Sequence, residues 1–482
     1  MKQPDAKHDV GSTSELGKRY LIFGLGVTGL AVARALHTRN ASLILADDRP
    51  SDRAIEVAAE LATPLLTKPS SQELAALMPE LDAVHPTPGL PESHPVFAQA
   101  AACTVPTISE FDLAQRWDDR PIIAITGTNG KTTVCSLATA MLHASGVPAD
   151  LCGNSEVPLV EAIANSAPEV FVVEASSFRL AQSKEFSPKV AAWLNYGPDH
   201  LDVHDDLASY ELSKAKIWAR VTKGATLVAN ADDHVVLGYL PSDPLNGVDV
   251  VTFAASHDTE ADYRVLDGVL CGPVGELVAV GDLWRQFPHD IENVLAAAAV
   301  VFPLGATIKG VAEVARSFTG LAHRVEAVAV IDGVSYVNDS KATVPHATIS
   351  AIAGFAAQLA ASTNSDDPGE TGRIVLIAGG RNKGLDLSPL ASQIGSLRGV
   401  VAIGEAAAEV QIVFEGQLEV EMAGTMAEAI ELSGRLALPG DIVLLSPACA
   451  SFDQYRSYAD RGEHFSELVR SLVVDQHWPE VS

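Results

Sequence analysis

The sequence predicts an α/β protein with parallel sheets, organised as three domains. Three observations carry that expectation. From Arg19 onward, short β-branched or apolar runs alternate with Ala- and Leu-rich stretches, the rhythm of strands joined by crossover helices. Two glycine-bearing loops, at 24–29 and 126–133, each follow an apolar run and open a helical stretch. A length of 482 residues accommodates about three domains at roughly 150 residues each.

In chain order, residues 1–17 are polar and mixed in charge, which suits a flexible tail and not a secretory signal. Strands are predicted over 20–23, 43–46, 122–126, 170–174, 190–194, 374–378, 400–403 and 442–445. Helices are predicted over 29–36, 132–144, 210–221 and 293–301. A domain boundary is expected near Glu110, before a polar stretch, and a second near Gly320, where a new strand rhythm begins. The resulting spans are 18–110, 111–319 and 320–482. Residues 361–372, rich in Ser, Asp, Pro and Gly, read as an exposed loop. No internal repeat is visible.

Composition narrows the function. Hydrophobic residues at 47% and charged residues at 20% exclude disorder for most of the length. Acidic residues outnumber basic ones 61 to 33, a net charge of −28, which argues against nucleic-acid or anionic-membrane partners. The five cysteines are scattered without a C-x-x-C pair, so a reducing cytoplasm is expected. The apolar stretch 294–304 falls short of the roughly 18 residues of a membrane span, so no membrane insertion is expected.

The loop Gly24-Leu-Gly26-Val-Thr-Gly29 lets a backbone approach a diphosphate at a helix N-terminus. Asp47 closes the next strand, about where a ribose-binding acid sits, with Arg49 just beyond. Taken alone, this loop reads as a nicotinamide site or as a tight packing turn. The second loop, Ile125-Thr-Gly127-Thr-Asn-Gly130-Lys131-Thr132-Thr133, is more specific. Its successive N–H groups suit phosphate, Lys131 suits the β- and γ-phosphates, and Thr132 suits Mg²⁺. The usual glycine five positions before the Gly-Lys pair is here Ile125, so the loop is either a shortened ATP site or a turn.

The segment 126–133 resembles the ATP loop of the Mur ligase superfamily. Further blocks resemble its D-glutamate-adding branch and fall in the same order. They are Glu174-Ala-Ser-Ser-Phe178, Asp199-His-Leu-Asp202, Tyr210-x-x-x-Lys214, Asn230-Ala-Asp-Asp233, His323-Arg-x-Glu326, Asn338-Asp-Ser-Lys-Ala-Thr343 and Ser446-Pro-Ala-Cys-Ala-Ser-Phe-Asp-Gln454. The resemblance implies a UDP-binding Rossmann-like domain, a central P-loop ATPase domain and a C-terminal Rossmann-like domain. It implies transfer of the ATP γ-phosphoryl group to UDP-N-acetylmuramoyl-L-alanine, then attack by D-glutamate on the acyl phosphate, with two Mg²⁺ ions and a monomeric enzyme.

The same resemblance implies residue roles. ATP would be held by Gly127, Thr128, Asn129, Gly130, Lys131, Thr132, Thr133, Asn293, Arg324 and Asp339. Thr132, Glu174, His200 and a carbamylated Lys214 would hold the metal ions; Lys131, Glu174, His200 and Lys214 would be the catalytic groups. The UDP-sugar would lie on Gly26, Val27, Thr28, Asp47, Asp48, Arg49 and Asn154, and D-glutamate on Thr343, Lys383, Ser451 and Tyr458. On a helix, Tyr210, Lys214, Ile217 and Trp218 share one face, which places Lys214 among apolar residues. The chain departs from the family pattern at Asp290, Arg179, Val203 and Tyr458, where Asn, Gln, Arg and Phe are usual. A folate-adding ligase, a nicotinamide oxidoreductase and a non-catalytic nucleotide switch each leave part of this set unexplained.

Overall fold

The structure, a computed structural model, describes residues 14–154, 157–199, 203–204, 206–241, 247–362 and 372–475. It forms two compact units. The first draws on the described parts of Met1–Tyr196, Asp202–Leu283 and Glu292–Ser317, and the second on those of Gly197–Leu201, Trp284–Ile291 and Phe318–Ser482.

The first unit opens with strands β1 (Arg19–Phe23), β2 (Ser42–Asp47), β3 (Leu65–Thr67) and β4 (Ala83–Pro86), in the order β3-β2-β1-β4. All neighbours are parallel. The order reverses between β1 and β4, and ligands of open α/β sheets gather at the carboxyl ends of strands at such a point. The loop after β1 is Gly24–Gly29 in sequence. Its packing admits no substitute at one position: a Cβ on Gly29 would lie 2.0 Å from the carbonyl oxygen of Gly24.

The same unit contains β5 (Ile122–Thr126), β6 (Ala149–Gly153), β7 (Val170–Glu174), β8 (Val190–Trp193), β9 (Thr226–Asn230) and β10 (Asp249–Phe253). They form a second parallel sheet in the order β10-β9-β8-β5-β7-β6. Every residue of β5, β7, β8 and β9 is buried, which is why β5, β7 and β8 read as apolar runs instead of alternating ones. The strand order reverses at β5, and the phosphate-loop candidate follows it. A three-stranded antiparallel sheet completes the unit: β11 (Arg264–Leu266), β12 (Val269–Gly272) and β13 (Gly275–Ala279).

The second unit is a six-stranded sheet of β14 (Glu326–Ile331), β15 (Val334–Asn338), β16 (Ile374–Gly379), β17 (Leu397–Ile403), β18 (Val420–Ala423) and β19 (Ile442–Ala448). The order is β14-β15-β19-β16-β17-β18, parallel except for the β14–β15 hairpin. Apolar clusters line both faces of β16, β17 and β19. The loops after β16 and β19 flank the reversal of strand order, and they carry Lys383 and Ser451.

The α/β expectation with parallel sheets is met, and each of the eight predicted strands falls on a strand. One helix differs. The segment predicted as 210–221 is an α-helix over Leu207–Ala215 that tightens into a 3₁₀ turn at Lys216–Trp218. Trp218 docks there, its indole N–H donating to Ala191 O at 3.0 Å and its ring tilted against Trp193 at 5.6 Å, so tertiary packing overrides helical continuation. The predicted loop 361–372 is helical as far as Ser362, at the end of Pro345–Ser362; the rest of it up to residue 371 lies outside the described residues. The apolar stretch 294–304 belongs mostly to the helix Pro288–Val301, and no helix among the described residues is long and apolar enough to cross a membrane.

Gly29→Ala should destabilise the protein by about 1–3 kcal/mol, because the added methyl group meets fixed backbone. Thermal unfolding measures this, and an unchanged melting temperature would show that the loop yields freely.

Candidate active site

The loop after β5 turns on two glycines. Gly127 and Gly130 have φ of +156° and +82°, and Gly130 is the N-cap of the helix Lys131–Ala144. Asn195, just past β8, supports the loop with its side chain. Its Oδ1 accepts from the N–H of Thr128 at 3.1 Å and of Asn129 at 2.8 Å, and its Nδ2 donates to Asn129 O at 3.3 Å. The Lys131 ammonium donates to the carbonyls of Gly127 (2.7 Å) and Thr128 (2.9 Å). Thr132 and Thr133 occupy the first helical turn behind it, and Asn293 Oδ1 stands 2.6 Å from where a Gly130 Cβ would be. The seven loop residues Gly127 to Thr133 and Asn293 thus lie together.

Lys214 is 1% exposed. Its ammonium donates to Gly127 O at 2.8 Å and lies 4.6 Å from the centroid of the Tyr210 ring, while Tyr210 OH pairs with Thr128 Oγ1 at 3.1 Å. The shared face predicted for Tyr210, Lys214, Ile217 and Trp218 is buried at all four positions. Glu174, buried at the end of β7, is approached by Asn154 Nδ2 at 3.5 Å. Among the described residues no group of three or more His, Cys, Asp or Glu side chains could hold a metal ion. A Mg²⁺ ion that is shared with phosphates and water takes only one or two protein oxygens, so the Thr132 hydroxyl and the Glu174 carboxylate fit that hard cation. His200 lies outside the described residues.

In the first sheet, Asp47 spends both carboxylate oxygens on the main chain: Oδ2 accepts from Leu25 N–H at 2.6 Å and Oδ1 from Arg49 N–H at 2.8 Å. It shapes the glycine loop. Asp48 pairs with His94 at 3.3 Å, and Arg49 is exposed. Gly26 is the N-cap of the helix Val27–Thr38, with Val27 exposed beside it. Thr28 is buried, and its hydroxyl accepts from Arg179 Nη2 at 3.0 Å. Arg179 also forms a buried ion pair with Glu110, and Glu110 accepts from Val160 N–H at 3.0 Å. Burial pushes the Glu110 carboxyl up, and Arg179 opposes that shift. The departure Arg179 thus comes with its own counter-charge.

The second unit gathers the remaining candidates. Asp339 is buried, with Oδ2 accepting from Ser446 Oγ at 2.8 Å and Oδ1 from Val325 N–H at 3.2 Å; burial pushes it up to about 7. Arg324 is half-buried between His323 and Val325, whose φ values of +62° and +50° are strained for side-chain-bearing residues. Lys383 pairs with Asp199 at 3.5 Å, and Ser451 is buried in the loop after β19. Thr343 N–H donates to Lys341 O at 2.9 Å, and Lys341 Nζ lies 5.0 Å from the centroid of the Tyr458 ring. Asp290, another departure, is clamped by Arg285 through two hydrogen bonds, the longer 2.8 Å. Nothing in the structure accounts for Val203.

Sequence reasoning missed Asn195, Glu110, Glu292 and Arg461. Arg461 is buried and donates to Ser340 Oγ (2.9 Å), Ser340 O (2.9 Å) and Cys449 O (3.1 Å), tying the Lys341 and Ser451 loops together. The first three leave only a lone polar residue in sequence; Arg461, in a helix after the last motif, had a signal in its charge on an otherwise amphipathic segment.

Glycine loops at the switch points of parallel sheets, one of them leading through a lysine into a helix N-terminus, are the arrangement of a phosphate-binding α/β enzyme. Comparison with known proteins narrows the class. Three family models match in order: the Mur ligase MurD-like N-terminal domain over 18–109, the Mur ligase middle domain over 125–301 and the Mur ligase glutamate ligase domain over 323–449. UDP-N-acetylmuramoylalanine–D-glutamate ligase of Frankia casuarinae is 38% identical over 95% of both chains. The ligase of that name from Desulfosudis oleivorans is 35% identical over 95% of this chain and 98% of its own. Among solved structures, a pseudomurein peptide ligase type C from Methanothermus fervidus shares the fold at 18% identity, with a TM-score of 0.57 and coverage of 95% and 100%. UDP-N-acetylmuramate-alanine ligase from Thermotoga maritima does so at 18% identity, with a TM-score of 0.55 and coverage of 94% and 99%. The chain belongs to the Mur ligase family, in the branch whose curated members carry the D-glutamate ligase name.

Asp339 sets a pH dependence. Its folded value, near 7, stands above the ordinary 3.8, so the folded state keeps a proton that the unfolded chain has lost. That contribution is complete below about pH 4 and fades as pH rises through 7, and is on the order of a few kcal/mol. Asp339→Asn should therefore gain stability relative to the wild type between pH 5 and pH 8. Melting temperatures of the two proteins that run parallel across this range would remove Asp339 from the linkage.

Proposed function

We propose that the chain joins D-glutamate to UDP-N-acetylmuramoyl-L-alanine at the expense of ATP, through an acyl phosphate, as a monomer in the cytoplasm. The observation that supports this most is similarity along 95% of the chain to ligases of that name. The domains are proposed as 18–110 for the UDP-sugar, 111–319 for ATP and 320–482 for the amino acid.

The chemistry asks for charge management, because a carboxylate is a poor electrophile and a triphosphate repels it. The N–H groups at the helix start, Gly130–Thr133, receive the phosphates, and Lys131 exchanges its carbonyl partners for phosphate oxygens. Asn293 contacts adenine, Asp339 the ribose and Arg324 the γ-phosphate. Gly26, Val27, Thr28, Asp47, Asp48, Arg49 and Asn154 hold the UDP-sugar, with Asp47 acting through the loop it shapes. Thr343, Lys383, Ser451 and Tyr458 hold D-glutamate, whose two carboxylates need a cation and hydroxyl donors. Thr132, Glu174, His200 and carbamylated Lys214 would hold two Mg²⁺ ions. Bound Mg²⁺ would neutralise charge between the triphosphate and the acceptor carboxylate. Burial of Lys214 favours a neutral amine able to take up CO₂, and the carbamate oxygens then supply what an ammonium cannot.

Phosphate release from ATP with UDP-N-acetylmuramoyl-L-alanine should be fastest with D-glutamate in a panel of D- and L-amino acids. Equal rates with L-lysine or meso-diaminopimelate would sink the assignment. Lys214→Ala should lose activity, at least about tenfold, and regain part of it in formate or acetate, which can occupy the vacated anion position. Full activity of this variant without additive would remove Lys214 from the site.

A further inference from the structure

The support behind the phosphate loop extends one layer deeper than Asn195. Asn230, at the end of β9, donates through Nδ2 to Leu194 O at 2.8 Å and to Glu292 Oε1 at 2.6 Å. Glu292 also faces the Asn195 side chain, which tempers the rise of its carboxyl. Asn195 in turn holds the N–H groups of Thr128 and Asn129. The next residue, Asn293, stands against Gly130. Glu292 therefore sits just behind the loop that would cradle a triphosphate. An ionised carboxylate there would oppose an anionic ligand.

We propose that Glu292 acts through Asn195 and Asn230 as a positioning residue that holds the phosphate loop in its ATP-binding shape. This rests on the reading of the loop as the ATP site. Two physical conditions support it. Glu292 holds Asn230, which holds the Leu194 carbonyl next to Asn195, and the Asn195 amide is committed to the loop, so displacement of Glu292 loosens the support of the two N–H groups. Burial, reinforced by the charges of Asp232 and Asp233 in the turn after β9, pushes the Glu292 carboxyl up to about 8. Asp233 is itself engaged, accepting from Tyr196, Val235 and Val236 N–H groups, and Asp232 accepts from Ala255 and Ser256 N–H groups. The cation on the loop, Lys131, lies on the carbonyls of Gly127 and Thr128. Near neutral pH Glu292 is thus an uncharged acid, which tolerates phosphate nearby. Above pH 8 it gains a negative charge, and ATP affinity should fall.

The test is the affinity of the full-length protein for ATP with Mg²⁺, measured by calorimetry from pH 7 to pH 9.5. The wild type should weaken about tenfold across that range, the effect of one added charge near the phosphates. Glu292→Gln, which keeps the shape and cannot ionise, should weaken less than about threefold over the same range. Glu292→Leu, which loses the hydrogen bond to Asn230 and the polar face toward Asn195, should bind ATP about tenfold more weakly at pH 7. Coincident pH profiles for wild type and Glu292→Gln overturn the proposal, and so does wild-type affinity in a folded Glu292→Leu protein. A wild type that binds no ATP at any pH overturns the ATP-site reading itself, a result separate from either of these.

Discussion

The carbonyl oxygen of Gly127 accepts hydrogen bonds from two ammonium groups, those of Lys131 and Lys214. Much of the first unit follows from that one meeting. The two lysine nitrogens crowd this one oxygen, and the Tyr210 ring lies against Lys214. An arriving anion would relieve the crowding by drawing Lys131 away. The arrangement requires a glycine whose carbonyl can face both lysines, and Gly127 supplies it with a φ that other residues rarely adopt. It also requires a buried helix face for Lys214, which the docking of Trp218 pins in place.

Much of this was legible in the sequence, for a physical reason. Strands buried on both faces must be apolar along their whole length, so β5, β7, β16 and β19 announce themselves as continuous runs. Among the strands that escaped notice, β3 has three residues and β11, β12 and β18 carry polar or exposed positions, while the interior strands β9 and β15 place polar residues within their runs. Such segments are defined by their neighbours more than by their own composition. The β14–β15 hairpin is similar, turning on Asp332 and Gly333, both at positive φ.

At the site, residues inside contiguous motifs could be read, and residues acting across the fold could not. Lys131, Lys214 and Lys383 sit in recognisable blocks. Asn195, Asn230 and Glu292 come from three distant segments and meet only because β8 and β9 are neighbours in the sheet. The departures show the same limit. Arg179 looked like a loss of the usual Gln until Glu110, 69 residues away, proved to be its partner. Asp290 likewise acquires meaning from Arg285, and Tyr458 from the ammonium of Lys341 over its ring. Each is a substitution paired with a nearby opposite charge or π-face, and no local pattern contains both halves.

These pairings bear on how a chain of net charge −28 accommodates anionic ligands at all. Long-range attraction is unavailable, so the acids closest to the candidate sites must be prevented from repelling what binds there. Three different physical devices do this. Asp47 is saturated by main-chain N–H groups. Glu110 and Asp199 are matched by Arg179 and Lys383. Asp339 and Glu292 are pushed by burial toward their neutral forms. Saturation and ion pairing direct the field of a carboxylate onto the protein, whereas desolvation favours its neutral form. The third device costs stability as pH rises, since the folded state must release protons it holds more tightly than the unfolded chain does. Its use beside the phosphate loop and beneath Arg324 is intelligible on electrostatic grounds: a paired cation there would be neutralised by its own carboxylate, and the lysines and arginine would lose the field that phosphate requires.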